Sequence, residues 1–491
     1  MSPHQDSMPR PGMFEIARGQ QNNGMLRLSE GDILLYLWGD APVEISPGDT
    51  IVGVLDDLTK VSLIHCIVIA QRHVGKQDTV RYRYHVKPRC VILGSQQFTH
   101  DDRMVENLSF SLHDTALFND HEALGTSYFN SADLIQRIAR SDDQVKDVSV
   151  GDMNWIRYYT GKRYIFHSDT ILGKITAAHV SRASTGISVE LAPATGVFVG
   201  IRPDEPMTIV EALRRMERVL QFFDVIMGRS QGVAEIKVYS GRDPHATSSD
   251  VRVSMWPAHR RSRREEASPL DALIDPAREP DTFGSVLSKW LTRDVKWSGA
   301  RSRLTRAWSR SSYDYDRIVA AANVFDLLPS DEYPSSEPIS ANLQQALENA
   351  KGAFSRLPVS EARNSVLGSL GRVGSLNLKK KVRHRLKRIT DTIELPGIDV
   401  VLDEAVNYRN YYVHGTPPRV GSSKISGFLK FLTDTLEFAF VASDLVDAGW
   451  DLRSWCAKRR PRGHPLHDYL VDYRRNSGRL MAELNRVTAG L

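Results

Sequence analysis

Cysteine is scarce in this 491-residue chain, which contains only three. Cys66, Cys90 and Cys456 lie far apart, and none belongs to a Cys-x-x-Cys pair. An odd number of widely spaced cysteines argues against a disulfide scaffold and against a zinc finger. The cysteine content is typical of a reducing compartment, which we expect to be the cytoplasm.

Long apolar stretches are missing as well. No run of about 18 apolar residues occurs, so the sequence predicts no membrane-spanning helix. The opening stretch, MSPHQDSMPRPGMFE, lacks the apolar segment of a signal peptide. We therefore expect no membrane association.

Motifs for nucleotides and metals are equally sparse. The chain has no P-loop, and the glycine-rich GSLGRVG at 368–374 follows a helical pattern instead of a strand, so no nucleotide site is predicted there. The two histidines of GHPLH (463–467) lie in a loop that contains Pro and Gly, which is a poor frame for a metal site. We expect neither a metal nor another cofactor.

Charge is present but unevenly distributed. The net charge is +5, of which residues 370–491 carry +8 and the remainder −3. A basic C-terminal part favours a polyanionic partner, and an ordinary solvated surface is the alternative. The length of the chain predicts two or three domains.

The first part of the chain has the pattern of strands. TIVGVLDD (50–57) and VSLIHCIVIAQR (61–72) are β-branched runs, and VRYRYHV (80–86) alternates between two faces. A capping box of Thr208 and Glu211 then predicts a helix that ends at a glycine, followed by one more strand near residue 240. The prediction is a β-rich domain over residues 1–240, resembling a sandwich or an open barrel.

The remainder has the pattern of helices. Residues 241–310 are predicted as a linker and a connecting helix, and residues 311–491 as a helical bundle whose helices are separated by Pro or Gly. The predicted fold class is a multidomain α+β protein. The predicted bundle helices cover 314–329, 339–357, 376–389, 398–415, 424–446 and a final stretch from residue 467.

The helix predicted at 376–389 is strongly basic. Its apolar residues form one stripe, and Lys and Arg side chains, Arg385 among them, cover the other faces. We predict that the stripe packs on the bundle and that the basic face points outward. Such a face can follow a phosphate backbone, so Lys380, Arg383 and Lys387 are candidate RNA-binding residues. A merely solvated face is the alternative.

An arginine five positions before a histidine occurs three times in the chain. The pairs Arg459/His464 and Arg462/His467 have Pro or Gly between them, so their backbone is not expected to hold a fixed geometry. The third pair lies in NYRNYYVHG (407–415), which ends an amphipathic helix, and its glycine suits the left-handed position after the last turn. Its buried side is predicted to hold Val400, Val401, Ala405, Tyr408 and Tyr412.

Arg409, Asn410 and His414 are the candidate functional residues of this helix. Asn410 and His414 share a face, whereas Arg409 lies about 140° around the helix from His414. We therefore expect Arg409 and His414 to flank a groove or to face residues of a second subunit, and not to stack on each other within one chain.

These residue types suit RNA cleavage without a metal. The reaction needs a base for the 2′-OH, a cation for the pentacoordinate phosphate and an acid for the 5′-oxygen. Histidine exchanges a proton near neutral pH, arginine supplies the cation, and asparagine can position the phosphate or the ribose. A capping histidine beside a salt-bridged arginine is the alternative that the spacing leaves open.

The YRNYYVHG stretch resembles the signature of the HEPN superfamily, in which an Arg, a polar residue and a His lie near the end of a bundle helix. RIVAAANVFDLL (317–328) and LKKKVRHRLKR (378–388) are similar to helices of the ApeA-like HEPN branch. GDTIVGVLDDLTKVSLIHC (48–66) resembles the β-rich ApeA N-terminal domain.

The resemblance implies a metal-independent ribonuclease of abortive anti-phage defence, with a HEPN bundle that forms its active site in a homodimer. It carries the catalytic roles over to Arg409, Asn410 and His414, and an accessory acidic position to Asp326. It also implies that the substrate is RNA, and a tRNA loop is the substrate expected from other members of the family. The β-rich domain would sense a phage-derived or cellular trigger, or restrain the nuclease.

Two other functions are compatible with the sequence. A HEPN bundle can keep the fold and act only as an RNA-binding or dimerising module. Alternatively, the β-rich domain is the main functional unit, binding a ligand or protein, and the helices are its scaffold. The intact Arg-Asn-x-x-x-His element favours the nuclease over both.

Overall fold

The computed structural model describes residues 8–16, 19–29, 32–74, 81–114, 116–118, 124–127, 131–141, 148–161, 164–181, 195–241, 248–253, 271–308, 312–334, 339–371, 373–374, 376–421, 426–458 and 463–489. The chain divides into two compact units. The sheet-rich unit comprises Met1–Ile226 with Ser230–Leu291, and the helical unit comprises Met227–Arg229 with Thr292–Leu491.

The described strands all belong to the sheet-rich unit. They are β1 (Arg10–Ile16), β2 (Gln20–Ser29), β3 (Asp32–Gly39), β4 (Ile51–Leu55), β5 (Lys60–Ile64), β6 (Ile67–Val74), β7 (Arg81–Lys87), β8 (Cys90–Gly94), β9 (Asn107–Leu112), β10 (Leu124–Ser127), β11 (Ile156–Tyr159), β12 (Tyr164–Thr170), β13 (Gly173–Ser181), β14 (Thr195–Arg202), β15 (Val233–Tyr239) and β16 (Ser249–Val253).

Fourteen of these strands form one sheet, in the order β12-β13-β14-β9-β15-β16-β8-β5-β4-β1-β2-β3-β7-β6, and β10 pairs with β11 separately. Every ladder between the described strands is antiparallel. An antiparallel sheet commonly buries alternate side chains. Phe14, Leu35, Leu63, Tyr84 and Val91, from five different strands, accordingly share one hydrophobic core.

The alternation predicted for VRYRYHV is confirmed over its described part. In β7, Tyr84 and Val86 are buried, whereas Arg81 and Arg83 are exposed. Val80, which the prediction placed on the apolar face, lies outside the described residues.

The run VSLIHCIVIAQR is not one continuous strand. It is divided at His65, whose φ of 54° lies in the left-handed region. β5 before the break pairs with β4 and β8, and β6 after it pairs with β7. A residue other than glycine stays in the left-handed region only when surrounding residues hold it there. The β-branched composition of the run indicates a strand and does not reveal the break.

A strand also lies inside the segment that we predicted as a linker and connecting helix. β16 pairs with β15 on one side and with β8 on the other, so the sheet continues beyond residue 240. Its short sequence, SDVRV, is polar enough to resemble a connector. Residues 242–247 and 254–270 of the same segment lie outside the described residues.

The described helices are α1 (Ser131–Ser141), α2 (Ile209–Met227), α3 (Pro280–Trp308), α4 (Tyr315–Asn323), α5 (Ala341–Ser355), α6 (Glu361–Gly371), α7 (Leu378–Thr390), α8 (Ile398–His414), α9 (Leu429–Asp447), α10 (Leu452–Ala457) and α11 (Pro465–Thr488). The predicted α+β class, with a sheet-rich N-terminal part and a helical C-terminal part, is confirmed.

The predicted capping box is also confirmed. The backbone N–H of Glu211 donates to Oγ1 of Thr208 at 3.2 Å, and the N–H of Thr208 donates to Oε2 of Glu211 at 3.1 Å. Helix α2 follows directly, and Gly228 after it has a φ of 64°. This pairing satisfies two backbone donors that a helix start otherwise leaves open.

Several predicted helix boundaries differ from the observed ones. The helix expected at 314–329 ends at Asn323, because residues 324–326 form a turn and residues 327–328 a bend. The last helix begins at Pro465, two residues earlier than expected, with His464 as its N-cap. Helix boundaries of this kind depend on local capping, which periodicity does not encode.

Helix α9 is the centre of the helical unit. Nearly all of its residues are buried, and α4, α7, α8 and α11 pack against it. Its buried acids form ion pairs with its neighbours. Arg301 binds both carboxylate oxygens of Asp444 at 2.8 and 2.9 Å, and Arg317 binds both of Glu437 at 2.8 and 2.9 Å. Such bidentate ion pairs fix α3 and α4 on α9, since a buried charge without its partner is strongly unfavourable.

Among the helices that the structure describes, none combines the length and the apolar composition that a membrane crossing requires.

Candidate functional site

Helix α8 carries the three candidate residues on its closing turns. Its last residue is His414, and Gly415 follows in the left-handed conformation with a φ of 72°. The N–H of Gly415 donates to the carbonyl oxygen of Tyr411 at 2.9 Å. The predicted glycine stop is therefore confirmed, and it leaves His414 exposed at the end of the helix.

The buried side of α8 differs from the prediction at two positions. Val401, Ala405 and Tyr408 are buried as expected. Val400 and Tyr412 are exposed, with 38% and 39% of their surface accessible, so their predicted burial was wrong. Ile398, Leu402, Glu404 and Val406 complete the buried side instead.

The Arg409 guanidinium is held by three neighbours. Its Nε and Nη2 donate to Oδ1 of Asn323, at 3.1 and 2.7 Å. Its Nη1 donates to Oδ1 of Asn410 at 3.0 Å and lies 3.3 Å from Nε2 of His414. One chain thus gathers an arginine, two asparagines and a histidine, which we call the motif cluster: Asn323, Arg409, Asn410 and His414.

Arg409 and His414 were expected not to stack within one chain, and the structure brings Nη1 of Arg409 to 3.3 Å from Nε2 of His414. The angle of about 140° describes where their Cα atoms lie around the helix. Helical side chains lean toward the N-terminus, so the His414 ring extends back toward the turn of Arg409. The long arginine side chain spans the remaining distance.

A hydrogen bond across the contact between Arg409 and His414 requires a neutral histidine. A guanidinium has donors only, so Nε2 of His414 must be the acceptor. An imidazole that accepts at Nε2 is neutral and carries its proton on Nδ1. In this arrangement Nε2 has the lone pair that a general base needs.

The partners of Arg409 leave its positive charge uncompensated. Within the described part of the chain, the hydrogen bonds of this guanidinium all lead to neutral groups, namely two amide oxygens and an imidazole nitrogen. Arg409 is half-buried and His414 is exposed. A cation that is oriented by amides and open to solvent can bind a phosphate without first breaking an ion pair.

Sequence reasoning missed Asn323. It is the last residue of α4 and lies 86 positions before Arg409, so no motif spacing connects the two. The available signal was one polar side chain inside the apolar run IVAAANVF, since a polar group in such a run normally has a partner.

Asp326, the candidate accessory acid, is not part of the motif cluster. It lies beyond the end of α4, and its Oδ1 accepts from Nζ of Lys381 at 2.8 Å. Asn323, three residues earlier, occupies the place beside the motif arginine.

The candidate RNA-binding residues of α7 lie on its outer part but differ in their surroundings. Arg383 forms an ion pair with Asp403 at 2.6 Å, and Lys380 is half-buried. Lys387 is exposed, and no ion pair is found for it among the described residues. Arg385, predicted to face outward, is fully buried, because it donates to Asp447 at 2.7 Å and to Glu332 at 3.1 Å.

The other two Arg/His pairs cannot be compared as pairs, since Arg459 and Arg462 lie outside the described residues. Their histidines belong to the start of α11. His464 is buried, and its Nδ1 accepts from the N–H of Leu466 at 3.1 Å, so it caps the helix. His467 lies in the first turn of the same helix.

Glu404 is a buried acid of α8, five residues before Arg409. Oε1 of Glu404 accepts from Nδ2 of Asn407 at 3.1 Å and forms an ion pair with Nε of Arg419 at 3.1 Å. Burial raises the pKa of Glu404 above its ordinary value. Arg419 follows the helix, so this pair ties the segment after Gly415 back to α8.

No group of three or more His, Cys, Asp or Glu side chains converges as metal ligands would in the part of the chain that the structure describes. The motif cluster itself consists of amides, a guanidinium and one imidazole.

Two family models match the chain. The model described as ApeA N-terminal domain 1 matches residues 11–290, and the model described as Apea-like HEPN matches residues 319–454. The second range contains the whole motif cluster. No curated protein and no solved structure matches the chain significantly. The resemblance inferred from YRNYYVHG and its neighbouring helices is confirmed, and the chain belongs to the ApeA-like HEPN family.

Proposed function

We propose that this protein is a metal-independent endoribonuclease that cleaves RNA through the motif cluster, as an effector of abortive anti-phage defence. HEPN domains are commonly nucleases, and the ApeA-like HEPN family is RNA-related and linked to anti-phage defence. The observation that carries the proposal is the uncompensated Arg409 guanidinium beside Nε2 of His414.

The chemistry follows from the atoms of this cluster. The phosphate of the RNA attracts the Arg409 guanidinium, which then releases Nε2 of His414. Nε2 takes the proton of the 2′-OH, the 2′-oxygen bonds to phosphorus, and the bond from phosphorus to the 5′-oxygen breaks. Arg409 stabilises the added negative charge of the pentacoordinate phosphate. The products are a 2′,3′-cyclic phosphate and a 5′-OH.

The two asparagines have different roles in this scheme. Asn323 accepts two hydrogen bonds from Arg409 and so fixes the plane of the guanidinium. It is a positioning residue, because it acts through Arg409. Asn410 accepts from Nη1 through its oxygen, which leaves its amide N–H groups for a phosphate or ribose oxygen.

The departing 5′-oxygen needs an acid, which supports a homodimer. The attacking and leaving oxygens lie on opposite sides of phosphorus in an in-line displacement, so one imidazole does not serve both at once. A second copy of the helical unit would supply the acid as His414 of the partner subunit, in its protonated form and released from its own arginine. Sedimentation at micromolar concentration should show a dimer, and a protein that cleaves RNA as a monomer would contradict this part of the proposal.

The test of the proposed function is cleavage of total RNA in the presence of EDTA. Arg409→Ala and His414→Ala should each lower the rate by roughly 10²–10⁴, since one removes the cation and the other the base. Asn410→Ala should have a milder effect, and His467→Ala is the matched control, because it removes a histidine from a helix end outside the cluster.

All variants should keep the circular dichroism spectrum and melting temperature of the wild type, because the cluster lies outside the hydrophobic core. Full activity of a folded His414→Ala protein would rule out the proposed mechanism. RNA binding without cleavage by the wild type would instead favour the non-catalytic HEPN module.

The proposal also includes three expectations from the family resemblance. The substrate is a tRNA loop, the protein is cytoplasmic, and a phage-derived or cellular trigger acts on the sheet-rich unit. A single-stranded loop lets the 2′-OH reach the in-line position more easily than a duplex does. Profiling of cellular RNA cleavage after expression of the wild type and of His414→Ala would identify the substrate.

A further inference from the structure

Two aromatic rings lie at the surface of the helical unit, on the helices that carry Asn323 and Arg409. Tyr315, at the start of α4, and Tyr412, on α8, are 57% and 39% exposed. Their rings are stacked, with centroids 5.3 Å apart and planes inclined by 24°. Tyr412 is three residues after Arg409, so the two side chains are neighbours on the surface of α8, whereas Asn410 and His414 lie about 160° around the helix from Tyr412.

The Tyr412 ring is held in place from the interior side. Its hydroxyl lies 2.9 Å from the hydroxyl of the buried Tyr408. The rings of Tyr408 and Tyr411 contact it at steep angles, 67° and 62°, with centroids 5.0 and 5.2 Å away. Tyr315 therefore rests on a rigid ring, and its high exposure leaves its outer surface open to solvent.

An open aromatic surface beside an uncompensated cation matches one kind of partner best. Unpaired nucleobases stack on tyrosine rings, and the phosphates between them bind arginine. The bases of a duplex are already stacked on their neighbours and do not offer a free face.

We propose that Tyr315 and Tyr412 form a stacking platform that holds an unpaired nucleobase of the substrate beside the phosphate bound by Arg409. The inference rests on the proposed function and assigns to these two rings the contact with an unpaired base of its substrate. Since every base has an aromatic face, the platform selects unpaired structure and tolerates different base identities.

The test measures binding, so that it does not depend on cleavage. All proteins carry His414→Ala, and the probes are a short single-stranded RNA and a ribose-phosphate oligomer of the same length and charge that lacks all bases. The single-stranded RNA should bind roughly 5- to 100-fold more tightly than the oligomer without bases, as expected for stacking of one base. A duplex of the same sequence should also bind more weakly than the single strand.

Variants of Tyr315 then locate the effect. Tyr315→Ala should weaken binding of the RNA and abolish most of the preference for bases, whereas Tyr315→Phe should retain it because the ring remains. Tyr158→Ala is the control, since it removes an exposed tyrosine from the sheet-rich unit. The ratio of the affinities for the two probes is measured for the protein with Tyr315 and for Tyr315→Ala. Comparing the two ratios is a double-mutant cycle, which isolates the contact between Tyr315 and the bases.

Two results would overturn the inference. One is equal affinity of the Tyr315-containing protein for the two probes. The other is a change of the monomer–dimer equilibrium by Tyr315→Ala with an unaltered preference for bases, which would identify the rings as a protein contact. Failure of the proposed function is a different result, because RNA would then bind with its base preference and the protein with intact His414 would not cleave it.

Discussion

The end of α8 and the basic helix α7 both carry cationic side chains, but the partners of these cations differ. Arg409 of α8 contacts amide oxygens and an imidazole. On α7, Lys381, Arg383 and Arg385 are bound to the carboxylates of Asp326, Asp403 and Asp447. An amide orients a cation and leaves its charge available, whereas a carboxylate cancels it. The chemical type of the partner, more than the number of cations, thus separates a candidate phosphate site from a structural surface.

The same comparison explains how α7 is placed in the helical unit. Arg385 is buried against Asp447 and Glu332, and Arg388 donates to Asp447 at 2.6 Å. The Arg385 guanidinium also lies 4.8 Å from the centre of the Trp297 ring. These contacts join α7 to α9 and α3, so part of the basic composition of α7 serves packing.

Among the substitutions that test this difference between α8 and α7, we expect the largest effect from Asn323→Asp. This substitution keeps the shape of the side chain but gives Arg409 a carboxylate partner, as on α7. The cleavage rate should fall by about 10- to 100-fold, the size of a hydrogen bond to a charged group. The measurement is the single-turnover rate in EDTA, with the melting temperature as a check on folding.

Asn323→Ala is the matched control for this prediction. It removes the oxygen that orients Arg409 but adds no charge, so its loss of rate should be smaller than that of Asn323→Asp. An Asn323→Asp protein with the activity of the wild type would show that the uncompensated charge of Arg409 has no role.

A smaller effect is expected on α7, from Lys387→Gln. Lys387 is exposed, so it is the residue of the predicted RNA-binding set that is best placed to contact phosphate. Loss of one phosphate contact should reduce the salt dependence of RNA binding, with a change in the log–log slope of about 0.7 for a single strand. The affinity for RNA is measured by fluorescence anisotropy over a series of salt concentrations.

Arg383→Gln sharpens the same comparison, because Arg383 is already bound to Asp403. Its effect on the salt dependence should be smaller than that of Lys387→Gln. Equal slopes for the wild type and Lys387→Gln would assign the exposed face of α7 to solvation alone.

Features that depend on neighbouring residues could be predicted from the sequence. The capping box of Thr208 and Glu211 is formed over three positions, and the helix stop at Gly415 requires only a residue that tolerates a positive φ. The alternation of β7 likewise follows from local geometry, since side chains of a strand point to opposite faces.

Features that depend on distant residues could not. Asn323 is joined to Arg409 across 86 positions, and nothing in either local sequence names the other. The burial of Arg385 depends on acids of α9 and of the segment before α5, and the pairing of β16 depends on β8, far earlier in the chain. The contact between Arg409 and His414 was missed because the helix angle ignores the direction and length of the side chains.

The most direct measurement of the central claim is the chemical identity of the RNA ends that the wild-type protein produces in EDTA. Attack by the 2′-OH, with His414 as base and Arg409 as cation, predicts a 2′,3′-cyclic phosphate on one fragment and a 5′-OH on the other. Ligation tests and mass spectrometry of the fragments distinguish these ends. A 3′-OH with a 5′-phosphate, or cleavage that requires Mg²⁺, would contradict the account.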